Sequence, residues 1–363
     1  MTKTRIALVG FGVIGKKHAA ALISSKTCKL SAVVDTDPSA ASFAKKHNAK
    51  FHTTLNALFS NTFVDGVVLA TPNSLHAEQA IICAKNKVHV LIEKPIATTM
   101  DEARSIIKTS REEKTQVLSG HYRRFNKQLE KAREIVLSEK IGTLIGVSAI
   151  WAMKKHDDYY NAAWRTQRGG GPILTNLIHD VDCLRWICGD IVEISSHVSN
   201  NTRGYEVEDT AAIALRFKNG ALGTILLSDA APSPWSYEAT TGENKDFAHM
   251  DDCCYRFIGT KGSLDFPLMR IWTYPNEKEA AWHFPMLKTQ QLEGAGNPLQ
   301  DQIEHFGRVI RGEESPRTSG EDGARTLSTT LAIMEAANKK QVVSPDGVGQ
   351  TLDDNPKTYP DQQ

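Results

Sequence analysis

The stretch Thr4-Arg-Ile-Ala-Leu-Val-Gly10-Phe-Gly12-Val-Ile-Gly15 decides the reading of this chain. An apolar, partly β-branched run leads into a loop whose glycines stand at its first, third and sixth places, and a helix-forming segment follows. The spacing has a mechanical meaning. The first glycine permits a tight turn, the second lets a pyrophosphate approach the backbone, and the third lets helix pack on strand. Amides at the helix start then face the phosphate charge. Glycine loops of this pattern are common, so the inference rests on context. A strand precedes the loop, a helix follows it, and Asp35 closes the next apolar run about 20 residues on, where an acidic side chain can hydrogen-bond the adenosine ribose. A carboxylate at that place repels a 2′-phosphate, so NAD is the expected cofactor and NADP the less favoured one, although Lys45 and Lys46 are near in sequence.

Working outward, short apolar runs at residues 6–9, 30–34, 66–70, 88–92 and 116–119 alternate with helix-like stretches. Runs apolar on both faces and separated by helices predict a parallel sheet covered on both sides. Pro38 after Asp37 and the Thr99-x-x-Glu102 capping box mark helix starts. At residues 121–126 the alternation stops. A helix is expected at 126–139, a strand at 143–153, a helix near 174–188, and strands at 210–217, 221–228, 254–258 and 263–266. Lys218-Asn219-Gly220 serves as a hairpin turn between two of these strands. Helices at 301–311 and 321–339 close the pattern. The fold class is α/β: an N-terminal Rossmann dinucleotide-binding domain, residues 1–122, and a C-terminal α+β domain with a mostly antiparallel open sheet, residues 123–343. A Pro-, Asp- and Gln-rich tail follows at 344–363.

Composition narrows the function. The 363 residues carry 43 Lys+Arg against 42 Asp+Glu, a net charge of +1, which removes the electrostatic case for a nucleic-acid partner. No apolar run approaches the roughly 20 residues of a membrane span, and the N-terminus has no signal-peptide core. Six cysteines without a Cys-x-x-Cys pair read as reduced thiols, so a cytoplasmic protein is expected, and no metal set is suggested.

Two further constellations stand where open α/β sheets bind ligands, at strand ends. Thr71-Pro72-Asn73 with His76 follows the fourth run, and Glu93-Lys94-Pro95 follows the fifth. A lysine just outside a buried strand can reach a substrate hydroxyl, with burial shifting its pKa toward neutrality, although an isolated Glu-Lys-Pro also describes a solvated loop. Downstream, Gly169-Gly-Gly-Pro-Ile-Leu-Thr175-Asn176-Leu-Ile-His179-Asp-Val-Asp182 opens a helix. Leu174, Leu177, Ile178, Val181 and Leu184 share its apolar face; Thr175, His179 and Asp182 share another. Asp182 is expected behind the second ring nitrogen of His179, where it would set the tautomer and raise basicity.

The order Gly-x-Gly-x-x-Gly, Thr-Pro-Asn-x-x-His, Glu-Lys-Pro and a triple-glycine helix with a histidine resembles the Gfo/Idh/MocA oxidoreductases, the glucose–fructose oxidoreductase and inositol dehydrogenase relatives. A late segment, His305-Phe and Ser319-Gly-Glu-Asp-Gly323, is similar to that family's C-terminal part, so the resemblance spans nearly the whole chain. It implies that Lys94, which often precedes a cis proline in the family, and His179 act together in proton transfer. It also implies that the open sheet mediates a homo-oligomer, a dimer or tetramer. One departure is informative. Many sugar and inositol dehydrogenases of the family carry an aspartate four residues before the histidine, where this chain has Thr175, which cannot carry charge.

The expected cofactor contacts are therefore Gly10, Phe11, Gly12, Val13, Ile14, Gly15, Asp35, Thr71, Pro72, Asn73, His76, Glu93 and Lys94. Expected substrate contacts are Lys94, Tyr122, Arg123, Trp164, Arg165, Thr175, Asn176 and His179, with a sugar or polyol as partner. His156 and Tyr160 share the Trp164 loop, which packing alone could also explain. The leading expectation is an NAD-dependent dehydrogenase acting on a secondary alcohol of a sugar, sugar acid or cyclitol. Two others stand beside it: a tightly held NAD cycling through oxidation, elimination and reduction, and a nucleotide-sensing regulator without catalysis.

Overall fold

The glycine loop sits at the switch point of a parallel sheet in the computed structural model, which describes residues 3–291 and 293–346. The strands are β1 (Thr4–Val9), β2 (Cys28–Val34), β3 (Lys50–His52), β4 (Gly66–Leu69), β5 (His89–Ile92) and β6 (Val117–Ser119), in the order β3-β2-β1-β4-β5-β6. β1 pairs with both β2 and β4, so the chain leaves it in opposite directions and a crevice opens above its C-terminal end. Helices α1 (Val13–Ser24), α2 (Ser39–Lys46), α3 (Leu55–Asn61), α4 (His76–Lys85) and α5 (Met100–Glu112) connect the strands. Alternation along β1 feeds two cores. Ala7 and Val9 join Ala80, Cys83 and Ile106 on one face, and Ile6 and Leu8 join Leu22 and Ala44 on the other. The Thr99–Glu102 capping box forms in full at the start of α5.

The second domain opens with α6 (Lys127–Leu137), capped by Asn126. Its sheet comprises β7 (Leu144–Ala152), β8 (Ile191–Ser199), β9 (Thr210–Phe217), β10 (Leu222–Ser228), β11 (Tyr255–Gly259), β12 (Gly262–Phe266), β13 (Arg270–Thr273) and β14 (Leu287–Gln290). The strand order is β14-β13-β12-β11-β7-β10-β9-β8, antiparallel except for the β7–β10 pair. One face buries Trp151, Phe217 and Phe257 against α6 and α7 (Ile178–Cys188). The other leaves Ile145, Leu222, Leu226 and Ile258 exposed. A short helix, α8 (Tyr237–Thr241), and two long ones, α9 (Pro298–Ile310) and α10 (Gly320–Lys339), complete the chain. No helix among the described residues is long and apolar enough to cross a membrane.

Three differences from the sequence-based pattern have physical reasons. β3, β8, β13 and β14 were not expected; β14 is exposed throughout and owes its form to pairing with β13. The helix expected from 174 begins as a π-helical turn, Ile173–Leu177, which rotates Thr175 relative to His179. The division at 122/123 does not separate the cores. Ile303, Phe306 and Val309 of α9 lie in one core of the first domain, and Ala324 and Leu327 of α10 in the other, so the chain returns to it near its end. The tail expected from 344 lies outside the described residues from 347 onward.

Candidate active site

Backbone geometry builds the nucleotide half of the site. Gly10 has φ +90°, and a Cβ there would stand 2.5 Å from the Ala70 carbonyl oxygen. A Cβ at Gly15 would meet the Gly10 carbonyl at 2.1 Å, so the helix can pack here only as glycine. Gly12 faces open space, and no side chain caps the start of α1. Val13 is 81% exposed beside it. Uncapped amides, an uncovered apolar side chain and room above the loop fit a pyrophosphate-linked cofactor. A cavity of about 370 Å³ continues from the loop, with Gly10, Phe11, Gly12, Asp35, Thr71 and Pro72 in its wall. Asp35 accepts the Phe11 and Asp37 amides at 2.6 and 2.7 Å, which fixes its carboxylate on that wall. None of the described residues lining the cavity is basic, and the lysine nearest the loop in sequence, Lys16, has its Nζ over the Phe11 ring at 5.6 Å.

Not every expected cofactor contact faces this cleft. Asn73 is exposed just beyond Pro72, and Ile14 lines a neighbouring cavity with Lys17 and Tyr122. His76 is fully buried. Its ring nitrogens face the Pro95 and Thr71 carbonyls at 2.8 and 3.0 Å, clamping the two loops together from behind. The Glu93 side chain turns inward to His18 Nε2 at 2.7 Å. Both assignments are corrected to positioning roles, because side chains on these loop residues point under the sheet end rather than out of it.

The second half gathers side chains from distant segments. Lys94 leaves the end of β5 through a cis bond to Pro95, and its Nζ donates to the Thr175 carbonyl at 3.0 Å. Burial lowers its pKa against the attraction of Glu93. One turn past Thr175, His179 is 8% exposed, with the Tyr122 ring edge-on at 5.7 Å and the His121 ring at 6.3 Å. Burial, and then the charges of Lys94, Arg123 and His121, hold the His179 pKa well below its ordinary value. The imidazole is therefore neutral near pH 7. Its Nδ1 is buried without a partner, which leaves Nε2 as the nitrogen a ligand can reach.

Asp182 does not stand behind His179. It accepts Arg124 Nε and Nη2 at 2.8 and 2.6 Å and the Thr326 hydroxyl at 2.9 Å. The helix register turns it toward the domain junction, where Asp322 of α10 also pairs with Arg124. Arg123 is likewise no substrate contact. It is 2% exposed, bonds Asp180 and Glu238, and stacks on Tyr237 at 3.9 Å. Trp164 is half-exposed, and Arg165 lies over the Tyr159 ring at 3.9 Å, donating to the Tyr159 carbonyl. The triple glycine serves this packing: a Cβ at Gly170 would stand 2.1 Å from the Trp164 carbonyl oxygen.

Sequence reasoning missed Lys155. It follows β7, is 9% exposed, and donates from Nζ to Asn176 Oδ1 at 2.8 Å. Asp229 stands 3.4 Å away, and the Tyr159 ring centre 4.4 Å. Its one available signal was a basic pair, Lys154-Lys155, at the end of a buried strand.

A nucleotide crevice at the switch point of a Rossmann sheet, joined to a neutral histidine and a buried lysine, defines an NAD-dependent oxidoreductase of two domains. Comparison with known proteins agrees. The profile of the oxidoreductase family with an NAD-binding Rossmann fold matches residues 4–121, and that of the Gfo/Idh/MocA C-terminal domain matches 129–265. The chain belongs to the Gfo/Idh/MocA family. It is 26% identical over 348 residues to the myo-inositol 2-dehydrogenase of Thermotoga maritima, covering 93% of this chain and 98% of that one. It is 28% identical over 244 residues to the 2,7-anhydro-N-acetylneuraminate hydratase of Escherichia coli K12, covering 65% of this chain and 64% of that protein. The WlbA dehydrogenase of Bordetella pertussis, solved with NADH and UDP-GlcNAcA, shares the fold at TM-score 0.75 and 23% identity, over 94% and 98% of the two chains.

Proposed function

We propose that the enzyme oxidises a secondary alcohol of a sugar, sugar acid or cyclitol, with Lys94 and His179 handling the proton. The observation that carries this is the placement of a neutral, nearly buried imidazole one turn from the carbonyl that holds Lys94. NAD, when bound, supplies the acceptor for the carbinol hydrogen. His179 Nε2 takes the hydroxyl proton, and the Lys94 ammonium donates to the same oxygen as negative charge develops there. Thr175 orients through its carbonyl rather than through a charge. Tyr122, edge-on to His179, closes one side. The relatives named above, one acting on an inositol, support a polyol class. The exposed apolar face of the second sheet supports a homo-oligomer, a dimer or tetramer, and the free, buried cysteines suit a cytoplasmic setting.

The test is the initial rate of NADH formation over cyclitols, aldoses and sugar acids, with Lys94→Ala beside the wild type. A signal confined to one group and lost in the variant is expected; equal rates in the variant remove the assignment. The hydratase relative supports a second reading, oxidation, elimination and reduction on a retained cofactor. It requires nucleotide to survive purification and substrate to turn over with no net NADH.

A further inference from the structure

The protein surface around Thr175 and Asn176 is rich in hydrogen-bond donors and poor in acceptors. Lys94 Nζ donates to the Thr175 carbonyl, while Lys155 Nζ bonds Asn176 Oδ1 and lies near Asp229. An ammonium has three N–H groups, so Lys94 keeps two and Lys155 keeps one. The Nδ2 of Asn176 has no protein acceptor among the described residues, because Oδ1 alone is engaged, by Lys155 and Thr175. Two ammonium groups thus bracket two consecutive residues on a turn that carries no carboxylate.

One carboxylate nearby, Asp229, pairs with Lys155 at 3.4 Å and is shared with Arg203, so two cations meet one anion there; the others are held elsewhere. Asp229 accepts from Tyr160 and Arg203, Glu238 from Arg123 and Trp151, Asp180 from Arg123 and Tyr255, and Glu208 from the Ile173 amide. A hydroxyl group donates as well as accepts and needs partners of both kinds; a carboxylate only accepts. The Lys155 and Asn176 end of this surface suits the second, while His179 Nε2 supplies the acceptor that a hydroxyl needs at the other.

We propose that the substrate of this cleft is a hydroxy acid, and that Lys155 receives its carboxylate while Lys94 and His179 attend to the hydroxyl. The proposal rests on reading the cleft as the alcohol-oxidising site and names the class of alcohol. Asn176 holds Lys155 toward the turn through Oδ1, and its free Nδ2 adds a second donor for the same group. The aromatic rings of Tyr159 and Trp151, at 4.4 and 5.7 Å, screen the ammonium from water, which strengthens a charge-assisted bond. Burial has pushed the Lys155 pKa down to about 8, with Asp229 and Glu238 raising it and Arg203 lowering it. An arriving anion favours the charged form, so binding and protonation reinforce one another.

The experiment is titration of the NADH-loaded enzyme, followed by nucleotide fluorescence, with three matched pairs of probes. These are D-gluconate and D-glucitol, D-glucuronate and D-glucose, and quinate and myo-inositol. In at least one pair the acid is expected to bind about tenfold or more tighter than its neutral partner. Lys155→Met should collapse that ratio toward one, Lys155→Arg should keep most of it, and NADH affinity should hold in both as evidence of folding. Equal affinity within every pair, no binding of any acid, or a ratio untouched in Lys155→Met overturns the proposal. Turnover separates the two readings. NADH formed from the neutral members and none of the acids refutes the hydroxy-acid class and leaves the dehydrogenase standing. No NADH from any probe, with Lys94→Ala indistinguishable from wild type, removes both.

Discussion

In the nucleotide crevice the groups proposed to meet the cofactor are mostly backbone, the open face of Gly12 and the uncapped amides of α1, with the Asp35 carboxylate held in place by two main-chain N–H groups. In the proposed substrate site they are side chains from four separated segments, Lys94, Tyr122, Lys155 and the turn from Thr175 to His179. The first tolerates only certain residues at certain spacings, because a turn with φ +90° and a 2.1 Å approach admits nothing but glycine. The second depends on which chain segment is brought opposite which. Local rules therefore describe the glycine turn and Asp35 of the one, though not the inward-facing His76 and Glu93, and fail at larger parts of the other.

Four experiments break or sharpen this contrast. Lys94→Ala should produce the largest change, lowering kcat by about 10²–10⁴ while the NAD dissociation constant moves less than about twofold. If cofactor affinity falls in step with kcat, the two halves are not independent. Next, Asp182→Asn should cost about 3 kcal/mol of stability in urea unfolding, because the buried Arg124 loses its bidentate carboxylate and is left with Asp322 and the Arg317 carbonyl. The acid limb of its pH profile should stay where the wild type has it. A moved limb would restore Asp182 to a role behind His179.

A smaller effect is expected at the nucleotide wall. Asp35→Ala should weaken NAD by about tenfold and narrow the preference over NADP, measured by fluorescence titration with both cofactors. An unchanged ratio would mean that the cavity shape, not the carboxylate, discriminates. The smallest is a displacement of pH limbs. An unfolded histidine titrates near about 6.5, and His179 titrates well below that in the fold. The neutral form is thus held above pH 6.5, and the stability it carries falls only as pH drops toward the lowered value. Activity should persist through the ordinary histidine range and fail only well below it, and the alkaline limb should lie under 10.5 because Lys94 is lowered by burial. An acid limb at the ordinary histidine value would show that His179 is solvated in the working enzyme.

The distribution of legible and illegible residues follows the same line. Five of the six parallel strands announce themselves as apolar runs, the short β3 being the exception, and the capping box at Thr99 is a contact between residues three apart, so these could be read without a structure. β14 could not be, since Leu287–Gln290 is exposed and takes strand form only by lying beside β13. Arg123 reads as a cleft residue by its place at the domain junction, yet Asp180 and Glu238, 57 and 115 residues away in sequence, draw it inside. His76 and Glu93 sit in the right loops but face the wrong way, a matter of rotamer and neighbour rather than of sequence position.

By itself the order of residues determined the glycine turn, the acidic end of β2, the alternation that makes a parallel sheet, and the presence of Lys94 and His179 at a strand end and a helix start. Those are short-range facts of backbone sterics, periodicity and spacing. Only the tertiary structure decided that His179 is neutral, that Asp182 belongs to Arg124, and that Lys155 reaches Asn176. These depend on burial and on charges from distant segments, and an energy set by proximity in space has no signature in the spacing of a chain.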